Sequence, residues 1–239
     1  MKKQNKVLII IPAFNEEKNI LKVCNSILNS NKKDKMKYDF IVINDGSTDN
    51  TSAILEKNHI PHINLVQNLG IGGAVQTGYK YAYINDYDIA VQFDGDGQHD
   101  INYVKNIISP IINDECDMCI GSRFINKKTS DFKSSMLRRV GIKLISIVIK
   151  FKTHKKVGDT TSGFRAINKS LIVKFAQSYP LEYPEPVSTT RVLMEKYRVK
   201  EVAVSMNERT FGKSSIRAWK SVYYMINVIL NILLIRRGE

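Results

Sequence analysis

Residues 91–100 read VQFDGDGQHD, and the reading of this stretch decides the fold. A short apolar run ends at two carboxylates, Asp94 and Asp96, spaced by Gly95, with Gln98 two residues further on. Glycine lets the backbone turn tightly and approach a ligand closely. Two acids at the carboxyl end of a strand suit a hard divalent cation, Mg²⁺ or Mn²⁺, which takes oxygen ligands and keeps positions open for phosphates. The plain alternative is a polar surface turn, because Asp and Gly are ordinary turn residues. What flanks the stretch chooses between the two.

Working outward, short apolar runs alternate with helical spacing. Strands are expected at Val7–Ile11, Phe40–Ile43, Ile63–Val66, Ile89–Phe93 and Asp117–Gly121. Helices are expected over Glu16–Asn29, Thr48–Lys57, Gly72–Ala82 and Asn102–Ile112. This alternation predicts an α/β fold with a mostly parallel sheet covered on both faces. Ligands in such sheets bind at the carboxyl ends of the strands. The polar clusters Pro12–Glu16, Asn44–Asp49, Gln67–Gly73 and Asp94–Gln98 all fall at those ends. Four loops from separate strands can therefore meet in one crevice, which turns a two-acid turn into a candidate site.

The chain has 239 residues and a net charge of +13, a length that suits one large domain with a C-terminal appendage. The opening MKKQNKVLIIIPAFNEE has too short an apolar run for a signal peptide, so a cytoplasmic protein is expected. Cys116 and Cys119 form a C-x-x-C, but no second ligand pair completes a zinc site. They read as small buried hydrophobes of a strand.

The positive charge is concentrated. Residues 127–156 carry ten basic side chains and one acidic, and residues 209–239 carry six and one. Both segments mix the charge with long aliphatic runs, which fits an anionic membrane surface better than nucleic acid. In Met136–Lys150, helical spacing puts Arg139, Lys143, Ser146 and Lys150 on one face and Leu144, Ile147 and Val148 opposite. Such a helix either touches a membrane or packs on the core. The apolar stretch Val222–Ile235 spans about 21 Å as a helix, short of the ~30 Å hydrocarbon core. Arg217, Lys220, Tyr224, Asn227 and Asn231 mark a narrow polar stripe along it, and Trp219, Tyr223 and Tyr224 suit a headgroup interface. This helix is expected to lie at an interface, or to dock on a small membrane partner or a second copy, rather than to span; packing on the chain's own core is the plain alternative.

The segments IIIPAFNEE, VINDGSTDNT, QNLGIGGAVQTGY, FDGDGQHD, GSRF, TSGFRA and NERTFGKSS occur in this order. In order and spacing the chain resembles family 2 glycosyltransferases. Within them it is similar to the polyprenyl-phosphate sugar transferases of the dolichyl-phosphate mannosyltransferase kind, over about residues 7–215. The resemblance implies a GT-A fold, with a Rossmann-like sheet and helices on both faces. It implies a catalytic domain over residues 1–212, with 127–156 a basic membrane-facing insertion, and an amphipathic C-terminal helix over 213–239. Carried onto this sequence, it gives Pro12, Phe14 and Glu16 a place along the nucleotide pocket and Asp45 a bond to the base or ribose. Asn68 and Gly73 would sit by the ribose. Asp94 and Asp96 would be the family's D-x-D, with Gln98 a third ligand of Mg²⁺ or Mn²⁺. Arg123 would lie near the donor or acceptor phosphate, and Arg209 and Lys213 on a segment that closes over the diphosphate. Glu185, in YPEP, falls where inverting members carry an acid. It deprotonates a hydroxyl acceptor, or positions a lipid phosphate that needs no base. Pro184 and Pro186 are read as stiffening a loop around it.

The resemblance thus implies metal-dependent, inverting transfer from a nucleotide-diphosphate sugar. The acceptor is a lipid-linked group or an envelope glycan at the cytosolic membrane face. YPEP departs from the usual pattern of the lipid-phosphate transferases and leaves the acceptor open between phosphate and hydroxyl. Other readings are a nucleotidyltransferase, which wants a basic glycine-rich loop where this chain has PAFNEE, and a non-catalytic nucleotide-sugar-binding scaffold at the membrane. No nucleic-acid partner is expected, because the C-terminal helix is too apolar.

Overall fold

The computed structural model of the chain describes residues 5–33, 36–125, 136–207 and 218–236. A seven-stranded sheet runs in the order β3-β2-β1-β4-β6-β5-β7. Its strands are β1 (Val7–Ala13), β2 (Asp39–Asn44), β3 (His62–Asn64), β4 (Ile89–Gln92), β5 (Met118–Ser122), β6 (Arg165–Asn168) and β7 (Val199–Ala203). The pairs β1–β2, β1–β4, β2–β3 and β5–β7 are parallel. β6 runs antiparallel between β4 and β5.

β1 lies inside the sheet between β2 and β4, and all seven of its residues are buried. Side chains of a strand point alternately to its two faces, and both faces here find an apolar layer. Val7, Ile9, Ile11 and Ala13 join the layer under α1 (Ile20–Lys33) and α4 (Val104–Ile112). Leu8 and Ile10 join the opposite layer with α3 (Gly70–Ile84) and α6 (Lys169–Gln177). A fully buried Ile contributes about 1.5–3 kcal/mol, so this doubly covered strand anchors the fold. A charged residue at Ile9 or Ile10 would break it. α2 (Thr51–Lys57) packs beside α1.

The expected strands and helices of the first half are present, with ends shifted by a few residues. β3 stops at Asn64, and Val66, expected inside it, is fully exposed. The expected Asn102–Ile112 helix opens as a 3-10 turn, Ile101–Tyr103, where Asp100 accepts from Asn102 N at 2.9 Å. Cys24, Cys116 and Cys119 are free and buried.

Two corrections fall in the second half. YPEP is not a stiffened loop: α7 (Pro184–Met194) begins inside it, with Tyr183 left-handed at φ 49 as its N-cap. The first N–H groups of a helix have no intrahelical partner, so Pro184 and Pro186 forfeit nothing there. α5 (Met136–Thr153) also orients differently from the two-face reading. Ile142, Ile145 and Ile149 face the core, while Val140, Leu144, Ile147 and Phe151 are exposed. α8 (Ala218–Leu234) packs on α5 and α7 through buried Val228 and Ile232. Lys152 Nζ donates to the carbonyls of Ile232 and Leu233 at 2.6 and 2.5 Å. Gly141 lies against Met225, so the two helices run parallel. No described helix is long and apolar enough to cross a membrane. The boundary expected at 212/213, together with Arg209, Lys213 and Arg217, lies outside the described residues, as do the side chains of Trp219 and Lys220.

Candidate active site

A crevice of about 470 Å³ opens at the carboxyl ends of β1, β2 and β4. Pro12 enters it from the end of β1, Phe14 and Glu16 from the loop after β1, Asp45 from just past β2, Asn68 from the loop before α3, Gly70 from the first turn of α3, and Asp94, Gly95 and Asp96 from the turn after β4. Two larger cavities, of about 790 and 850 Å³, lie away from this end against β7 and the end of α5. Neither gathers the loop acids, so chemistry rather than volume selects the site.

The loops are tied to one another. Asn15 Oδ1 accepts from Thr48 N at 2.8 Å, joining the β1 and β2 loops. Buried Asp45 accepts from Leu69 N at 2.7 Å, joining β2 to the loop before α3. Burial pushes the Asp45 carboxyl upward, against the pull of the Leu69 and Gly70 N–H groups. Gly46 is needed at this junction: its φ is +66, and a Cβ there would sit 2.7 Å from Asn68 N. Phe14 is 45% exposed, an aromatic wall beside the opening.

Asp94 is held from behind. His99 Nε2 lies 3.1 Å from its Oδ2, and Gln92 Nε2 lies 3.4 Å from its Oδ1. Burial pushes the Asp94 carboxyl up. The His99 imidazole, the Gln92 amide and the Arg165 charge outweigh this and leave it below the usual carboxylate range. Gly163 passes so close that a Cβ would meet Asp94 Oδ2 at 2.7 Å. Asp96 Oδ1 accepts from Gln98 N at 3.0 Å, closing the turn.

Glu185 stands across Gln92 from Asp94, its Oε1 3.5 Å from Gln92 Nε2. Burial, with a smaller push from Asp94, raises its carboxyl above the usual range against the pull of Arg165. Arg165 is fully buried on β6. It donates to Ser162 O at 2.6 Å, Glu185 O at 3.2 Å and Ser188 Oγ at 3.1 Å. It therefore lies beneath both acids without a direct bond to either carboxylate among the described contacts.

Of the residues singled out in the sequence, Pro12, Phe14, Glu16, Asp45, Asn68, Asp94 and Asp96 share the crevice wall. Gly73 does not: it is buried in α3, where a Cβ would strike Leu69 Cβ at 2.5 Å. Gln98 is half-buried beside the crevice without lining it. Arg123 is also elsewhere. Its guanidinium is clamped by buried Asp159 at 2.8 and 2.6 Å and donates to Thr161 Oγ1 at 3.1 Å. A bidentate pair this buried engages the fork that a phosphate would need. Gln92, His99 and Arg165 were missed. Gln92 and Arg165 are polar residues inside apolar runs, and that mismatch is the available signal; His99 lies between Gln98 and Asp100 and carries none.

The donors at the crevice are oxygens. Asp94 and Asp96 line it together, and no group of three or more His, Cys, Asp or Glu that could hold a metal occurs among the described residues. A set of two carboxylates fits a hard cation that completes its shell with phosphate oxygens and water, and it does not fit zinc.

The sequence profile of glycosyl transferase family 2 matches residues 8–175. The chain is 31% identical to the UDP-N-acetylglucosamine–dolichyl-phosphate N-acetylglucosaminyltransferase of Methanococcus voltae, over 98% of this chain and 97% of that one. It is 26% identical to the undecaprenyl-phosphate 4-deoxy-4-formamido-L-arabinose transferase of Proteus mirabilis, over 95% and 68%. Among solved structures it resembles glucosyl-3-phosphoglycerate synthase from Mycobacterium tuberculosis in complex with Mn²⁺, UDP and glucosyl-3-phosphoglycerate. The TM-score is 0.68 at 17% identity, covering 96% of this chain and 79% of that one, a likeness of fold. The fold is GT-A, and the chain belongs to glycosyl transferase family 2 and is a glycosyltransferase.

Proposed function

We propose that this enzyme transfers a sugar from a nucleotide-diphosphate donor to a polyprenyl-type lipid phosphate, with inversion and with a divalent cation, at the cytosolic face of a membrane. The observation that carries the reading is one crevice wall that joins Asp94 and Asp96 to Asp45, Phe14 and Asn68. Asp45 would accept from the base or ribose of the donor, and Phe14 would cover it. Asp94 and Asp96 would hold Mg²⁺ or Mn²⁺, which neutralises the leaving diphosphate when bound. A lipid phosphate is already anionic. Its oxygen attacks the anomeric carbon, the bond to the diphosphate breaks, and the electron pair leaves with the nucleoside diphosphate. No proton has to be removed, so Glu185 acts by positioning the acceptor. With a hydroxyl acceptor it would take the proton. Arg209 and Lys213 remain candidates for closing over the diphosphate. The two Methanococcus voltae substrates, UDP-N-acetylglucosamine and dolichyl phosphate, are the first pair to test.

Membrane contact is supported by α5 and α8. Val140, Leu144, Ile147 and Phe151 form an exposed stripe on α5, and Tyr223, Ile226, Leu230, Leu233 and Leu234 form one on α8. Arg139, Lys143 and Lys150 are exposed along the edge of the first stripe, and neither helix contains a carboxylate. An apolar face bordered by cations fits an anionic bilayer surface, with the helices lying in its plane. Asn227 Nδ2 donates to Tyr223 O and Asn231 Nδ2 to Asn227 O, at 2.9 and 3.0 Å. Each amide thus has one N–H paired within α8, which lowers the cost of an apolar neighbour.

The test is transfer from labelled nucleotide sugars to polyprenyl phosphate in detergent, with Mn²⁺ or Mg²⁺ and with chelator. Transfer that needs the cation and is lost in Asp96→Ala is expected. Unchanged transfer in chelator, or in Asp96→Ala, would remove the cation from the mechanism.

A further inference from the structure

His99 occupies a slot made for an apolar ring. Its imidazole stacks on Phe164 at 4.8 Å and 21°, and Phe93 meets it edge-on at 5.4 Å. It is buried, and its Nδ1 has no hydrogen-bond partner among the described residues. An orphaned buried polar atom is destabilising, and a phenylalanine or leucine in the same slot would avoid that cost. What the imidazole adds is the 3.1 Å contact from Nε2 to Asp94 Oδ2. With no acceptor beside Nδ1, the proton belongs on Nε2, which makes the ring the donor.

The slot itself is anchored. His99 pairs with Met206 as an isolated antiparallel bridge, and Asn207 N donates to Gln98 O at 2.8 Å. The turn carrying Asp94 and Asp96 is thereby pinned to the chain beyond β7. Gln92 approaches the other oxygen of Asp94, and the backbone of Gly163 closes the side. One oxygen of Asp94 is therefore committed to His99, which sets the direction of the other.

We propose that His99 is a positioning residue that holds Asp94 in the orientation required to bind the divalent cation. The proposal rests on the reading of Asp94 and Asp96 as the cation site. Partners that orient metal-binding side chains set affinity by ten- to a hundredfold, so an effect of that size is expected on metal binding itself.

The experiment is titration of the full-length protein with Mn²⁺ alone, followed by electron paramagnetic resonance, alongside a thermal melt. His99→Leu keeps the apolar slot filled and removes the donor. It should weaken Mn²⁺ binding about ten- to a hundredfold, with a melting temperature equal to or above that of the unmodified chain. His99→Gln, whose amide nitrogen reaches toward the same oxygen, should recover part of the affinity. Leu and Gln variants that bind Mn²⁺ as tightly as the unmodified chain would overturn the role, as would a Gln variant no better than Leu. An unmodified chain that binds no Mn²⁺, with Asp96→Ala indistinguishable from it, would instead overturn the cation site and this role with it.

Discussion

Gly163→Ala is a perturbation of a single methyl group aimed at Asp94. Gly163 precedes β6, and its φ lies outside the left-handed region, so alanine meets no backbone strain there. Its Cβ would sit 2.7 Å from Asp94 Oδ2, 3.0 Å from Oδ1 and 3.0 Å from Gln92 Nε2. Ordinary contact begins at 3.4 Å, so the carboxylate must retreat by about 0.7 Å. A misplacement of 1 Å costs on the order of a hundredfold in rate, which puts the loss here at about ten- to fiftyfold. That is roughly 1.4–2.3 kcal/mol of transition-state stabilisation. The same methyl group restricts the unfolded chain and returns about 0.4–1 kcal/mol of stability, so the melt should move little. Steady-state transfer with the preferred donor, measured beside a thermal melt, separates the two. A variant with normal melting and transfer within twofold of the unmodified chain would refute the placement of Asp94 at the chemistry. Collapse of the melt would show that the glycine serves the fold instead.

Glu185 gives a second test through pH. Its carboxyl is raised by burial, so the proton stays on to higher pH than for an ordinary glutamate. Activity that needs the carboxylate should fall, as pH is lowered, at a higher pH than an ordinary glutamate would give. Glu185→Gln should remove that acid limb from the pH profile of kcat; a profile unchanged by the substitution would exclude Glu185 from the reaction. On the proposed membrane face, Ile147→Asp with Phe151→Asp removes two exposed side chains, each worth about 1.5–3 kcal/mol when buried in lipid. Binding to anionic vesicles should drop by more than tenfold while a water-soluble acceptor or donor hydrolysis is processed normally. Vesicle binding unaffected by the pair, or a change of oligomeric state in their place, would assign the stripe to another copy of the chain.

The sequence by itself determined the layered sheet and the position of the crevice. β1 is apolar at every position but one and β4 is apolar up to Gln92, and such runs can only be buried on both sides. Once they are, the polar loops that follow them converge of necessity, which is why the four loops and the acids Asp94 and Asp96 were legible; the places of Pro12, Phe14, Glu16, Asp45 and Asn68 were implied by the family resemblance. Hydrophobic periodicity is local, and it carried the first half of the chain well. It failed for β6, a four-residue strand containing a fully buried arginine, and for β7, whose residues are not fully buried.

Only the tertiary structure decided what each polar side chain faces. Arg123 belongs to Asp159, 36 residues away, and Arg165 lies beneath Glu185 and Asp94 through contacts between β6, β4 and α7. Spacing along a strand or helix cannot encode such pairings, because they depend on which elements become neighbours. The same holds for α5. Helical spacing showed one apolar face and one basic face, but three faces exist: one against the core, one apolar and exposed, one basic. Which apolar residues become core is set by the helices and sheet that α5 packs against, α7 and α8 among them, and no property of its own eighteen residues distinguishes Ile145 from Ile147.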